Sequence, residues 1–133
     1  MDEQSHSFTR YQLPAILWGV LIFISSSIPS ESFPDLSILR FDKVIHFGIY
    51  FMFSLFAYRA LRFQSRFPRV ARHALSLTVL AIMVYGASDE FHQSFVPGRQ
   101  PDAFDLLADT LGGCALVTGV WWKERTKAAS ASD

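Results

Sequence analysis

The chain has 133 residues, half of them apolar, and its twelve basic and twelve acidic side chains cancel to a net charge of zero. That balance excludes the broad basic footprint of a nucleic-acid-binding domain, so no nucleic-acid partner is expected. The positive mean hydropathy exceeds what a soluble domain of this size usually carries, and a single cysteine, Cys114, excludes an intrachain disulfide and a cysteine zinc site.

A helix needs about 17 to 25 predominantly apolar residues to cross a bilayer, because lipid cannot satisfy bare backbone polar groups. Four segments meet this, at residues 13–29, 42–61, 74–95 and 102–122, which predicts an all-α, integral membrane four-helix bundle forming one domain over residues 1–133. The first span opens with Pro14 in its first turn, where a missing amide hydrogen costs nothing, and ends in Ser25, Ser26 and Ser27. It reads as a span rather than a secretory signal, since no Ala-x-Ala-like cleavage site follows it. The linker after it carries Glu31 and Asp35, read as solvated loop charges.

Arg59, Arg62, Arg66, Arg69 and Arg72 crowd the connection between the second and third spans, and Lys123, Arg125 and Lys127 follow the fourth, behind Trp121 and Trp122. With Arg10, nine of the twelve basic residues then lie on one side, against Arg40, Lys43 and Arg99 on the other. Short cytoplasmic loops retain positive charge, so both termini are expected in the cytoplasm, with the chain a multi-pass protein of a bacterial inner membrane. The six-residue link Val96-Pro97-Gly98-Arg99-Gln100-Pro101 suits a type II turn with Pro-Gly at its centre, making the third and fourth spans a hairpin. Pro101 then starts the last helix, with Asp102 in its first turn near the positive end of the helix dipole. Ala108, Gly112, Gly113 and Gly119 suggest close helix packing along that span, and the tail from Ala128 reads as frayed.

The ionisable residues gather at the end opposite the arginine-rich loop. Asp42, His46 and Tyr50 share one helical face, Tyr85, Asp89, His92 and Gln93 a second, and Asp102, Asp105 and Asp109 a third, so three polar stripes can face one another. At a rise of about 1.5 Å per residue Asp109 lies roughly 10 Å below its helix start. A carboxylate at that depth calls for pairing or a wet cavity. Arg99, Lys43, His46 and His92 are the available partners, Arg99 by a bidentate fork. A metal set of His46, Asp42, His92 and a carboxylate lacks any HExxH-like spacing, so neither a metal nor a cofactor is assigned.

The run Asp42-Lys43-x-x-His46, then Asp89-Glu90-x-x-Gln93-x-Phe95-x-Pro97-Gly98-Arg99, then Asp105-x-x-Ala108-Asp109-x-x-Gly112 resembles the VanZ-like membrane protein family over all four spans. Many relatives carry Asn where this chain has Asp109. The family's founding member is associated with low-level resistance to the glycopeptide teicoplanin, so the resemblance implies a cell-envelope role without a defined molecular activity.

Several readings of the cluster stand side by side. In an enzyme acting on a lipid-linked or headgroup substrate, Glu90 or Asp105 serves as general base with His46 as proton partner. Asp42, Lys43, Asp89, Gln93, Arg99 and Asp109 are the candidate binding groups, Arg99 for an anionic phosphate or carboxylate. A non-catalytic protein would use the same groups to bind a membrane lipid, an antibiotic or an envelope partner. A proton relay is a further reading, and in the last the polar residues form a structural knot that fixes helix register.

Overall fold

Proline at position 14 decides how the first helix begins. Its ring collides with the carbonyl four residues back and it has no amide to donate. In the computed structural model, which describes residues 7–29 and 42–131, the strain is taken up by a wide π turn, Phe8–Gln12, in which the Leu13 amide reaches back to the Phe8 carbonyl. Helix α1, Leu13–Ser26, continues from it. The first span is therefore Phe8–Ser26, starting earlier than the proline alone suggested. Glu31, Asp35 and Arg40 lie outside the described residues.

Helix α2 covers Asp42–Arg62, a short α3 covers Pro68–Arg72 in the arginine-rich connection, α4 covers Ala74–Gln93 and α5 covers Ala103–Ser130. The described residues contain no strand. Four of the helices are long and apolar enough to cross a membrane. The last continues about two turns beyond the tryptophan pair instead of fraying at Ala128: alanines favour the helix and Lys127 complements its carbonyl end.

Pairings along the helices give their directions. Lys43 meets Asp102, Ser54 meets the Gly113 carbonyl and Tyr58 meets Glu124, so α2 and α5 run parallel in close contact. Helix α4 runs against both, placing Ile82 at Gly113 and Glu90 at Asp102. Helix α1 lies alongside α2 and α4, with the Trp18 indole donating to the Ile49 carbonyl and the Tyr85 hydroxyl to that of Gly19. One apolar layer of Ile22, Tyr50, Phe53 and Ile82 fills the middle, and a second of Tyr58, Ala74 and Leu116 fills the arginine end.

Burial is inverted relative to a soluble protein. Ser26, Ser54, Thr78, Asp89, Glu90, Gln93, Asp105 and Asp109 are buried, whereas Ile16, Leu17, Leu21, Leu80, Val84, Leu107 and Leu111 face outward. Apolar surroundings explain both halves of the pattern: lipid accepts the hydrocarbon, and polar groups turn inward to find partners. The chain is a multi-pass membrane protein.

Small residues set the helix spacing, but only some of those singled out. A Cβ at Gly112 would stand 2.3 Å from the Phe47 carbonyl oxygen and 3.0 Å from the Phe51 amide, so the α2 and α5 backbones touch there. Gly113 receives Ile82, while Gly119 has nothing within 4 Å and takes no part in packing. Gly112→Ala is expected to force the two helices apart and lower stability by about 1–3 kcal/mol. Gly119→Ala should be neutral or stabilising by up to about 1 kcal/mol; thermal unfolding in detergent compares the two.

Candidate functional site

The turn after α4 assembles the site. Gly98 takes φ 74°, and the Arg99 amide donates to the Val96 carbonyl at 3.1 Å, as a type II turn centred on Pro97-Gly98 requires. The chain arrives at Asp102 in extended conformation, so this residue caps α5 from outside instead of sitting in its first turn. One Asp102 oxygen accepts from the Phe104 amide at 2.8 Å, and the Asp102 amide donates to Glu90 Oε2 at 2.7 Å. Glu90 thus ties the end of α4 to the start of α5.

Lys43, at the opening of α2, bridges this cap. Its ammonium donates to Asp102 Oδ2 at 2.6 Å and to Asp105 Oδ1, and lies 3.5 Å from Asp42 Oδ2. The bond from Lys43, with the Phe104 amide behind it, holds the Asp102 carboxyl below the ordinary range. Lys43 and Asp102 remain partly open to the surroundings, while Asp42 is exposed.

One turn deeper lies an inner tier. His46 Nδ1 stands 3.0 Å from Asp109 Oδ1, and Nε2 faces Asp105 Oδ2 at 3.8 Å and Asp42 Oδ1 at 3.9 Å. Asp109 is 1 % exposed and its Oδ2 has no hydrogen-bond partner; the same holds for Glu90 Oε1 and the Tyr50 hydroxyl. Each buried polar atom left in this state costs about 1–3 kcal/mol. Gly86, one turn before Glu90, lets these groups pack close to α4: a Cβ there would lie 3.1 Å from Leu106 Cδ1, 3.5 Å from Asp109 Oδ2 and 3.6 Å from the Tyr50 ring. Two groups have ligating atoms within 4.8 Å of one another, Asp42 with His46 and Asp105 at the mouth, and His46 with Glu90 and Asp109 inside.

The stripe on α4 does not join this cleft as expected. Tyr85, Asp89, His92 and Gln93 turn to α1, which packs on that face of α4. Ser26 donates to Asp89 Oδ1 at 2.6 Å and Gln93 to Asp89 Oδ2 at 3.1 Å. His92 pairs with Ser27 at 2.9 Å and stacks on Phe23, which removes it from the ligand set considered with His46 and Asp42. Arg99 also turns to α1, donating to the Ile28 carbonyl at 3.1 Å and the Ser25 carbonyl at 3.2 Å. A helix leaves its last carbonyls without internal partners, and a guanidinium supplies donors there.

The candidate residues therefore fall into two groups. Asp42, Lys43, His46, Glu90, Asp105 and Asp109 converge with Asp102 between α2, α4 and α5, whereas Asp89, Gln93 and Arg99 fasten the end of α1. Sequence reasoning missed the partner role of Ser26, for which the serine run was the available signal, and Gly86, whose spacing one turn before Glu90 was the only one. Asp89→Ala should remove a buried acceptor from Ser26 and Gln93 and cost about 1–3 kcal/mol of stability, readable as a lowered melting temperature in detergent.

The VanZ/LLP1 family profile matches residues 5–123. An uncharacterized protein, C11E3.10, from Schizosaccharomyces pombe (strain 972 / ATCC 24843) is 34% identical over 108 residues, which are 80% of this chain and 62% of that protein. The chain thus spans somewhat under two thirds of that relative's length. No solved structure matches. With a family match over nearly its whole length, spanning the helices that build the polar cleft, the chain belongs to the VanZ-like family of membrane proteins.

Proposed function

We propose that the cleft between α2, α4 and α5 binds the anionic headgroup of a membrane-embedded lipid or lipid-linked envelope molecule, and that Glu90, Asp105 and His46 are placed for acid–base chemistry on it. The single observation that carries this reading is the set of buried atoms without partners, Glu90 Oε1, Asp109 Oδ2 and the Tyr50 hydroxyl, side by side with charged groups at one end of the bundle. A polar knot serving only to fix helix register would satisfy its members. The contacts of Asp89 with Ser26 and Gln93 behave in that way; the cleft does not.

The surroundings favour a lipid over a soluble ligand. Val44 and Ile45 follow Lys43, and Phe104 and Leu107 flank Asp105, all exposed on the outer surface of the bundle. An acyl chain lying along them would bring its headgroup to the Lys43 ammonium, a strong partner for phosphate oxygens. Below the cleft, Ile22, Phe53 and Ile82 close the bundle with an apolar layer, which speaks against a proton path to the far end.

In this reading the arginine-bearing end faces the cytoplasm, following the positive-inside rule, and the cleft opens on the opposite leaflet. A fission-yeast relative extends such chains beyond bacteria, so glycopeptide susceptibility would be one bacterial outcome of a wider lipid-handling role.

The test uses cells lacking the protein, complemented with Glu90→Gln or Asp105→Asn, together with the purified variants. Both substitutions keep side-chain volume and one acceptor oxygen while removing the charge and the proton-accepting carboxylate. They are expected to change stability by no more than about 1 kcal/mol while abolishing complementation in an envelope-stress or glycopeptide-susceptibility assay. Loss of the folded protein in both would assign the cleft to structure instead.

A further inference from the structure

We infer that the inner tier of the cleft is a binding site for one divalent transition-metal cation, of the Mn²⁺ or Zn²⁺ type, with His46, Glu90 and Asp109 as its protein ligands. Each residue comes from a different helix, α2, α4 and α5 in turn, and each offers an atom within 4.8 Å of the others. Metal bonds of about 2.0–2.2 Å separate neighbouring ligands by roughly 3 Å. The His46 Nδ1 to Asp109 Oδ1 distance is already 3.0 Å, and Glu90 offers an oxygen within 4.8 Å of both residues' ligand atoms.

Two independent observations point to a ligand. Asp109, 1 % exposed, directs one oxygen to His46 and leaves Oδ2 without a hydrogen-bond partner beside Gly86. Glu90, 7 % exposed, fixes Oε2 on the Asp102 amide and leaves Oε1 without one. Charge gives the same sign. The Lys43 ammonium is engaged by Asp102 and Asp105, which leaves His46 as the basic group placed against the two buried carboxylates of the inner tier, whereas a dication would neutralise both.

The surroundings are those of a supported metal site. The Asp102 amide holds the second Glu90 oxygen, and the far His46 nitrogen lies 3.8 Å from Asp105 Oδ2 and 3.9 Å from Asp42 Oδ1, so a small shift would let a carboxylate accept its N–H and orient the imidazole. One imidazole with two carboxylates suits Zn²⁺, Mn²⁺ or Fe²⁺ better than Ca²⁺, which takes six to eight oxygens. Three protein ligands leave positions open for water or a headgroup phosphate, and that role, unlike the binding itself, rests on the proposed ligand cleft. The outer group of Asp42, His46 and Asp105 holds no second cation, because the Lys43 ammonium already contacts both carboxylates.

The experiment is cation binding by the full chain, purified in detergent and stripped with chelator. Mn²⁺ is followed by electron paramagnetic resonance, Zn²⁺ by elemental analysis after desalting, and the melting temperature is recorded with and without each ion. The expected result is one ion per chain and a melting temperature that rises with ion concentration. Affinity should fall by about tenfold or more in Glu90→Gln and Asp109→Asn but stay near wild type in Glu124→Gln, at the opposite end of the bundle beside Tyr58. Wild-type protein that takes up neither ion at millimolar concentration overturns the inference without recourse to any variant. Binding unchanged by both inner substitutions overturns it as well. Wild-type protein without bound ion whose Glu90→Gln variant still folds and fails to complement overturns the cation alone and leaves the ligand cleft standing.

Discussion

Everything at the polar end of this molecule depends on one close approach, the passage of the α5 backbone at Gly112 against the α2 backbone at Phe47 and Phe51. Two parallel helices in contact at a glycine must also meet one and two turns earlier. Residues 43 and 46 of α2 are thereby set against 102, 105 and 109 of α5. Because α2 and α5 begin at the same end, their positive dipole termini converge on it, and a convergence of this kind favours carboxylates in the first turns. Asp42 and Asp105 occupy those positions, and Asp102 caps α5 just outside them.

The two polar assemblies at this end differ in how their hydrogen bonds are used. Around Asp89 both carboxylate oxygens have donors, from Ser26 and Gln93, and Arg99 covers the final carbonyls of α1. That assembly fastens α1, which buries only Gly19, Ile22 and Ser26 of its own surface and needs such an anchor. On the neighbouring face of α4 the cleft keeps partnerless oxygens in a setting where an unmade hydrogen bond is costly. Helix α4 serves both, presenting Asp89 and Gln93 to one neighbour and Glu90 to the other. Consecutive residues of a helix differ by about 100° in direction, so adjacent acids can belong to separate devices.

The outer surface matches a role at the lipid boundary. Aromatic and aliphatic side chains surround the charged mouth, and at the far end Arg125 stacks on Trp121 while Arg59 and Arg10 lie over Tyr11. Cations on amphipathic rings suit the headgroup region, where one face of each group meets hydrocarbon and the other water. The family match and the four apolar helices agree on a membrane protein. The chemistry of the cleft, with an ammonium outside and an imidazole between carboxylates inside, is what the proposed headgroup role rests on.

Hydropathy and length determined the four spans, and the Pro-Gly pair determined the hairpin, because both are local: a bilayer has a fixed thickness, and a type II turn needs positive φ at one residue. The clustering of acids at one end and the family likeness were legible for the same reason, as short spacings along single helices. Tertiary structure alone decided which stripe met which. The α4 face carrying Asp89, His92 and Gln93 went to α1, and Arg99 found helix-end carbonyls. Glu90, off that stripe, joined His46 and Asp109. Rotation of each helix about its axis follows from the fit of Gly112 against backbone and of Gly19 beside Phe53 and Tyr85, and that fit is a property of packed pairs that no single segment of sequence contains.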